Sequence, residues 1–197
     1  MLATEALAIG ERPVRSLLEM RQDRVVVQAW DLSCGAAALA TLLNYQLDDP
    51  VTEKEIARGL IKREEYLEDP DLVRFRQGFS LLDLKRFVDG RGYQGIGLGK
   101  MVIDDLRSTA PVMVPVSFNG YNHFVIFRGI AETVSGRPRV LLSDPAFGNR
   151  TMLLEDFESA WLEHPELGRV GFTVALRDGS VLPNRLAPRI SDFVTFR

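Results

Sequence analysis

The run CGAAALATLLNY, residues 34–45, sets the terms of the fold. Ala36, Ala37, Ala38, Leu39, Ala40, Leu42 and Leu43 leave no polar stripe on a helix of ordinary pitch. A helix that is apolar all round must be enclosed on every side, so this one belongs in the middle of a domain. The chain has 197 residues, one ordinary domain that buries roughly 70% of its unfolded surface. Ser33, or Asp31 two residues earlier, can supply an N-cap oxygen. The first residue of the helix is Cys34, the only cysteine in the chain.

Other elements arrange themselves around this helix. Residues 1–24 read as a leading arm with a short amphipathic piece at 14–20, and residues 25–197 as the main domain. Residues 25–27 are a brief β-branched run that suits a strand entering the loop 28–33. A second helix starts at Thr52, where Thr52 and Glu55 form a capping-box pattern. Residues 62–78 are densely charged and interrupted by Pro70. Their ordinary reading is a solvated surface. Ser80 with Asp83 caps a further amphipathic helix through Val88 that ends near Gly90. Beyond it the character changes. Residues 112–118 and 123–130 are β-rich runs parted by the turn signal Asn119–Gly120. Residues 139–144 and 169–176 are two more, with a helix over 155–163 between them. Helices first and strands after predict an α+β domain, its central helix packed against an antiparallel sheet and a cleft between the halves.

Composition excludes several functions. Net charge is -3 and the basic residues are scattered among acidic ones, so no nucleic-acid face is expected. No run of eighteen apolar residues occurs, so no membrane-spanning segment is expected. One cysteine rules out an internal disulfide. One cysteine and two distant histidines offer no metal-ligand cluster, and no metal or cofactor is expected. The start MLATEALAIGERP lacks the pattern of a signal peptide, which fits a cytoplasmic start or a mature exported form.

Cys34 has two readings. Free cysteine is among the most buried residue types and is then inert. A thiol at a helix N-terminus, however, feels unpaired N–H groups and the positive end of the dipole, which favour thiolate. Gly35 next to it would leave room for a substrate backbone. The nucleophile reading needs a base. His164 lies in WLEHPEL near a helix end, where a surface role suffices. His123 opens the strand HFVIFRGI. If residues 123–130 and 139–144 form a hairpin centred between Thr133 and Val134, then Phe127 faces Val140, Val125 faces Leu142 and His123 faces Asp144. One register then aligns the apolar pairs and brings imidazole and carboxylate together; a slip of one residue would separate them. Gln28, six residues before Cys34, can aim a side-chain amide where a carbonyl oxygen becomes negative, beside the Cys34 N–H.

This constellation resembles the C39 peptidases, papain-like cysteine proteases known for removing double-glycine leaders. The resemblance rests on Gln28 and Cys34–Gly35 at their spacing, the helix GAAALATLLNY, NHFVIFRGI with His123, and LLSDPAFGNRTMLLEDFESAW with its Asp-Pro and Phe…Trp helix. It implies a catalytic triad of Cys34, His123 and Asp144, an oxyanion donor in Gln28, small pockets near Gly35 and a protein or peptide substrate. QAWDLSCGAAALATLLNYQ and RQGFSLLDLKRFVDGRGYQG are closer still to the free-standing members that accompany bacterial functional-amyloid secretion. That likeness implies a periplasmic protein whose partners are amyloid-system subunits or the secretion channel. Ser33 stands where bacteriocin-processing members carry an acidic residue. Two rivals follow from the same residues: a non-cleaving peptidase-like module that binds a secretion substrate or channel component, and a Cys/His amidase or transferase of related fold. A thiol that no reagent reaches would return Cys34 to the core.

Overall fold

A computed structural model describes residues 15–61, 78–133, 136–189 and 192–193. The helix α1 (Leu17–Gln22) opens on a capping box between Ser16 and Glu19. The apolar run becomes α2 (Cys34–Thr41), buried along its whole length, and continues through one π-helical turn, Leu42–Gln46. Asn44 and Gln46 end it by turning outward to backbone partners: Asn44 Oδ1 accepts from Val51 N–H at 2.7 Å, and Gln46 Nε2 donates to the Pro183 carbonyl at 2.9 Å. Helices α3 (Glu53–Ile61) and α4 (Leu81–Gly90) follow. Thr52 with Glu55 and Ser80 with Asp83 close their expected caps. Most of the charged stretch 62–78 lies outside the described residues, as do residues 1–14.

Next come β1 (Tyr93–Leu98), α5 (Ile103–Thr109), β2 (Val112–Phe118), β3 (Tyr121–Ala131), β4 (Arg139–Asp144), β5 (Gly148–Leu153) and α6 (Leu154–Ala160). A small ladder of β6 (Glu163–His164) and β7 (Gly168–Arg169) precedes β8 (Gly171–Leu176). Six strands form one antiparallel sheet in the order β1–β8–β2–β3–β4–β5. The β2–β3 turn carries positive φ at both Asn119 and Gly120, as the Asn-Gly signal predicts.

Two apolar layers fix the helices to this sheet. Leu39 of α2 and Leu43 of the π-helical turn join Ile56, Leu84, Ile126 and Phe172 in one cluster. Leu106 and Phe157, from α5 and α6, join Val125, Phe127, Leu142 and Trp161 in the other. The α+β architecture, with a buried central helix against an antiparallel sheet, is the one expected.

Several local expectations need correction. Residues 25–27 form no strand: Val25 is buried, and Val26 N–H donates to Thr41 Oγ1 on α2 at 2.9 Å, so a helix side chain holds this run in place of a neighbouring strand. The helix over 155–163 stops at Ala160, because Leu162 N–H bonds the Pro115 carbonyl and Glu163 pairs with Arg169. The strand over 169–176 is two pieces.

The β3–β4 register also differs. Near the site Phe127 pairs with Leu142 and Ile126 with Ser143; farther out Gly129 pairs with Leu141 and Ile130 with Val140. Arg128 is the extra residue between, a β-bulge. The two segments differ by one residue in phase, so without the bulge Asp144 would fall on the face opposite His123. The bulge returns both to one face, two residues out of direct opposition.

Candidate active site

Cys34 begins α2 and His123 lies in the second turn's strand, β3, while Asp144 ends β4. All three are buried: Cys34 keeps 3% of its surface, His123 4% and Asp144 none. His123 Nε2 and Asp144 Oδ1 are 2.8 Å apart. That commits Nε2, and Nδ1, buried without a hydrogen bond of ordinary geometry, is the nitrogen left for the sulfur. Burial works against a charged ring, but the Asp144 hydrogen bond and then the Cys34 sulfur outweigh it and push His123 up to about 9. The structure therefore places thiol, imidazole and carboxylate together, with the ring favouring its charged form.

Asp144 is held from two further directions. The Ala146 N–H donates to Oδ1 at 2.8 Å, the closure of an Asx turn into Pro145. Arg150 Nε approaches Oδ2 at 2.8 Å as an ion pair whose angles fall short of a hydrogen bond. Its guanidinium lies 4.7 Å from the Phe118 ring centre and 5.3 Å from that of Phe147. The sequence reading missed Arg150. The available signal was the return strand FGNRTML, which pairs antiparallel with β4 after the Asp-Pro turn.

The loop before Cys34 is pinned at three points. Gln28 N–H donates to the Pro145 carbonyl at 2.8 Å, tying this loop to the turn beside Asp144. Glu53, buried at the start of α3, accepts from Ala29 N–H at 2.9 Å and from Ser33 Oγ. Ser33 thus makes no side-chain cap on α2: its hydroxyl faces Glu53 and the Trp30 carbonyl, at 2.5 Å from the latter. Gln28 Nε2 donates to the Trp30 carbonyl at 3.1 Å, and its Oε1 is buried without a hydrogen-bond partner among the described residues. One amide hydrogen of Gln28 remains uncommitted among the described contacts. Glu53, like Arg150, went unread in the sequence, because one helix-start glutamate looks like any other.

Gly35 is buried, and a Cβ there would meet the Phe124 ring at 3.3 Å and Leu84 at 3.5 Å. The room expected for substrate is taken by the packing of α2 on β3, so only the backbone of Gly35 is left for that purpose. Tyr121 stands 6.1 Å from His123, ring centre to ring centre, and its hydroxyl is pushed up by burial, then by Cys34 and Asp31. Trp30 and Tyr121 are about half exposed and Phe147 more so. His164 is exposed on β6, where Nδ1 accepts from Glu166 N–H at 3.2 Å. Among the described residues no group of three or more Cys, His, Asp or Glu is arranged to hold a metal, and no helix is long and apolar enough to cross a membrane.

A thiol at the head of a buried central helix, with an imidazole and a carboxylate on adjoining antiparallel strands, defines an α+β fold of the papain-like cysteine-peptidase class. The chain belongs to the peptidase C39 family, whose sequence pattern matches residues 22–164. It is 39% identical over 157 residues to the Pseudomonas fluorescens protein named "Probable functional amyloid protease FapD", covering 78% of this chain and 64% of that one. The Pseudomonas aeruginosa protein of the same name is 34% identical over 150 residues, covering 76% and 62%. The chain thus matches less than two thirds of the length of either relative. Among solved structures, the double glycine motif protease from an AMS/PCAT transporter, in complex with the leader peptide, superposes with a TM-score of 0.57 at 21% identity over 77% of this chain and 90% of its own. The peptidase domain of Streptococcus ComA gives 0.57 at 16% identity over 78% and 98%. At these identities the two structures speak for the fold.

Proposed function

We propose that this protein is a cysteine endopeptidase in which Cys34 is the nucleophile, His123 the general base and acid, and Asp144 the residue that orients the ring. The observation that carries the reading is the 2.8 Å contact between His123 Nε2 and Asp144 Oδ1. It holds a ring pushed up to about 9 beside the sulfur at the start of α2. His123 takes the thiol proton through Nδ1, giving a thiolate–imidazolium pair. The thiolate attacks a peptide carbonyl, and the developing oxyanion is received by the Cys34 N–H and the free amide hydrogen of Gln28. The imidazolium gives its proton to the leaving amine. Water then attacks the thioester, His123 takes a proton from it, and the thiol returns.

The named relatives, functional amyloid proteases by name, support a substrate from a functional-amyloid system; we read it as an amyloid subunit or a component of the secretion channel, met in the periplasm. A peptide backbone would enter past Trp30 and Tyr121.

One observation favours a second reading. A thiol at 3% exposure is as buried as a core cysteine, which suits a module that binds its partner without cutting it. One experiment separates the two. Iodoacetamide alkylation of Cys34, the single cysteine, is followed against pH in the parent and in His123→Ala. In parallel, a peptide library is searched by mass spectrometry for new termini. The endopeptidase reading expects reactivity well below the ordinary thiol pKa of about 8.5, lost in His123→Ala, and termini absent with Cys34→Ala. A thiol unreactive at every pH in the folded protein overturns it.

A further inference from the structure

We propose that Arg150 is a positioning residue of this site, the standing counter-charge that holds the Asp144 carboxylate aimed at His123. The proposal rests on the triad reading above and adds to it a fourth residue.

The Asp144 side chain is wholly enclosed. A carboxylate in such a place needs a paired charge and hydrogen bonds to hold it. Its two oxygens are served unequally. Oδ1 receives both hydrogen bonds, from the His123 ring and the Ala146 N–H. Among the described residues Oδ2 has only the Arg150 ion pair at 2.8 Å. His123 alternates between imidazolium and neutral ring in the proposed cycle. Whenever it is neutral, Arg150 is the remaining cation paired with Asp144 among the described residues. A guanidinium does not deprotonate in this range, so the counter-charge persists through both halves of the cycle.

Geometry fixes the arginine as well. Arg150 stands opposite Leu142 in the β4–β5 ladder. The rings of Phe118 and Phe147 lie 4.7 and 5.3 Å from its guanidinium carbon and restrict its swing. The competing reading is an ordinary surface pair, worth little. It fails on the partner: Arg150 retains 28% of its side-chain surface, but Asp144 retains none.

The test is an NMR titration of the histidine rings, of which there are two, His123 and the exposed His164. The groups facing His123 are Asp144 from β4, Cys34 from α2 and Tyr121 from its own strand, with Arg150 acting through Asp144 from β5. Parent, Arg150→Gln, Arg150→Lys and Asp144→Asn are compared. Without Arg150 the carboxylate is no longer held on the ring, so in the Gln variant the His123 midpoint should fall from the parent's towards that of Asp144→Asn, while the Lys variant, which keeps the cation, stays with the parent. Asp144→Asn should lower it. A Gln midpoint equal to or above the parent's, the rise being what the loss of a bystander cation gives, or a Lys midpoint that moves as far as Gln's, overturns the role of Arg150 and leaves the triad standing. A midpoint unmoved by Asp144→Asn overturns the triad, and with it the proposal.

Discussion

His123 and Asp144 meet at 2.8 Å although the β3–β4 ladder sets them two residues out of direct opposition. The bulge at Arg128 makes this possible, and Arg128 is itself held in a buried network. Its guanidinium pairs with Asp192 at 2.6 Å, and its Nε donates to the Leu186 carbonyl at 2.7 Å. Arg24 reaches the same Asp192 oxygen. Burial, then the Arg24 charge, lowers Arg128 to about 10, so its proton is retained at neutral pH. Asp192→Ala would leave two guanidiniums facing each other without their shared anion. The expected loss is about 3–5 kcal/mol of stability, the size found when one partner of a buried pair is removed. Urea unfolding measures it, and a midpoint within error of the parent's would mean the network contributes little.

The raised pKa of His123 has a consequence for stability. The ordinary value is 6.5 and the folded value about 9, so the folded chain keeps a proton that the unfolded chain releases. The stabilisation is complete below about pH 6.5 and is lost as pH climbs through about 9. The melting temperature of the parent should therefore fall between pH 7 and 9 more steeply than that of His123→Gln. Equal slopes by differential scanning calorimetry would show that the ring is not held charged.

Gln28→Ala tests the oxyanion assignment. Removing one donor of this kind costs about 10²–10³ in kcat, with the Cys34 N–H still in place. Hydrolysis of a peptide identified in the library search should fall by that factor with little change in KM. The rate of iodoacetamide alkylation should remain near the parent's, since no oxyanion forms in that reaction. A loss of alkylation as well would assign Gln28 to holding the loop.

Much of this architecture was legible because local chemistry agreed with the final fold. The apolar run 34–45 could only be a buried helix, and Ser80–Asp83 and Asn119–Gly120 announced their cap and turn. The strand β1 was missed because YQGIGL carries glycines in place of alternating apolar residues; a Cβ at Gly95 would come within 2.9 Å of Lys85 Cα, so close packing of α4 on β1 wants that glycine. The site was legible in its residue types and in the shared face of His123 and Asp144. The register was not, because a bulge at a buried arginine leaves no periodic trace. Glu53 stayed hidden because its partners, Ala29 and Ser33, lie twenty or more residues away, and Arg150 because its role depends on the pairing of β5 with β4.

Glu53 supplies the last expectation. It links the first turn of α3 to the loop that carries Gln28 and leads into Cys34, accepting from Ala29 N–H and Ser33 Oγ with its side chain buried. Glu53→Ala leaves the Ala29 N–H without its acceptor, which costs about 1–3 kcal/mol for the unsatisfied group, while Ser33 Oγ keeps the Trp30 carbonyl. Glu53→Gln keeps one acceptor oxygen and should lose less. Both variants release the loop, so peptide hydrolysis should fall in the order parent, Gln, Ala, while the His123 midpoint stays near the parent's because the Asp144 contact is untouched. Thermal unfolding and the same NMR titration check these together. A His123 midpoint that moves with Glu53→Gln would mean that the loop and the imidazole are electrostatically coupled, and that Glu53 belongs to the charge balance of the site as well as to its framework.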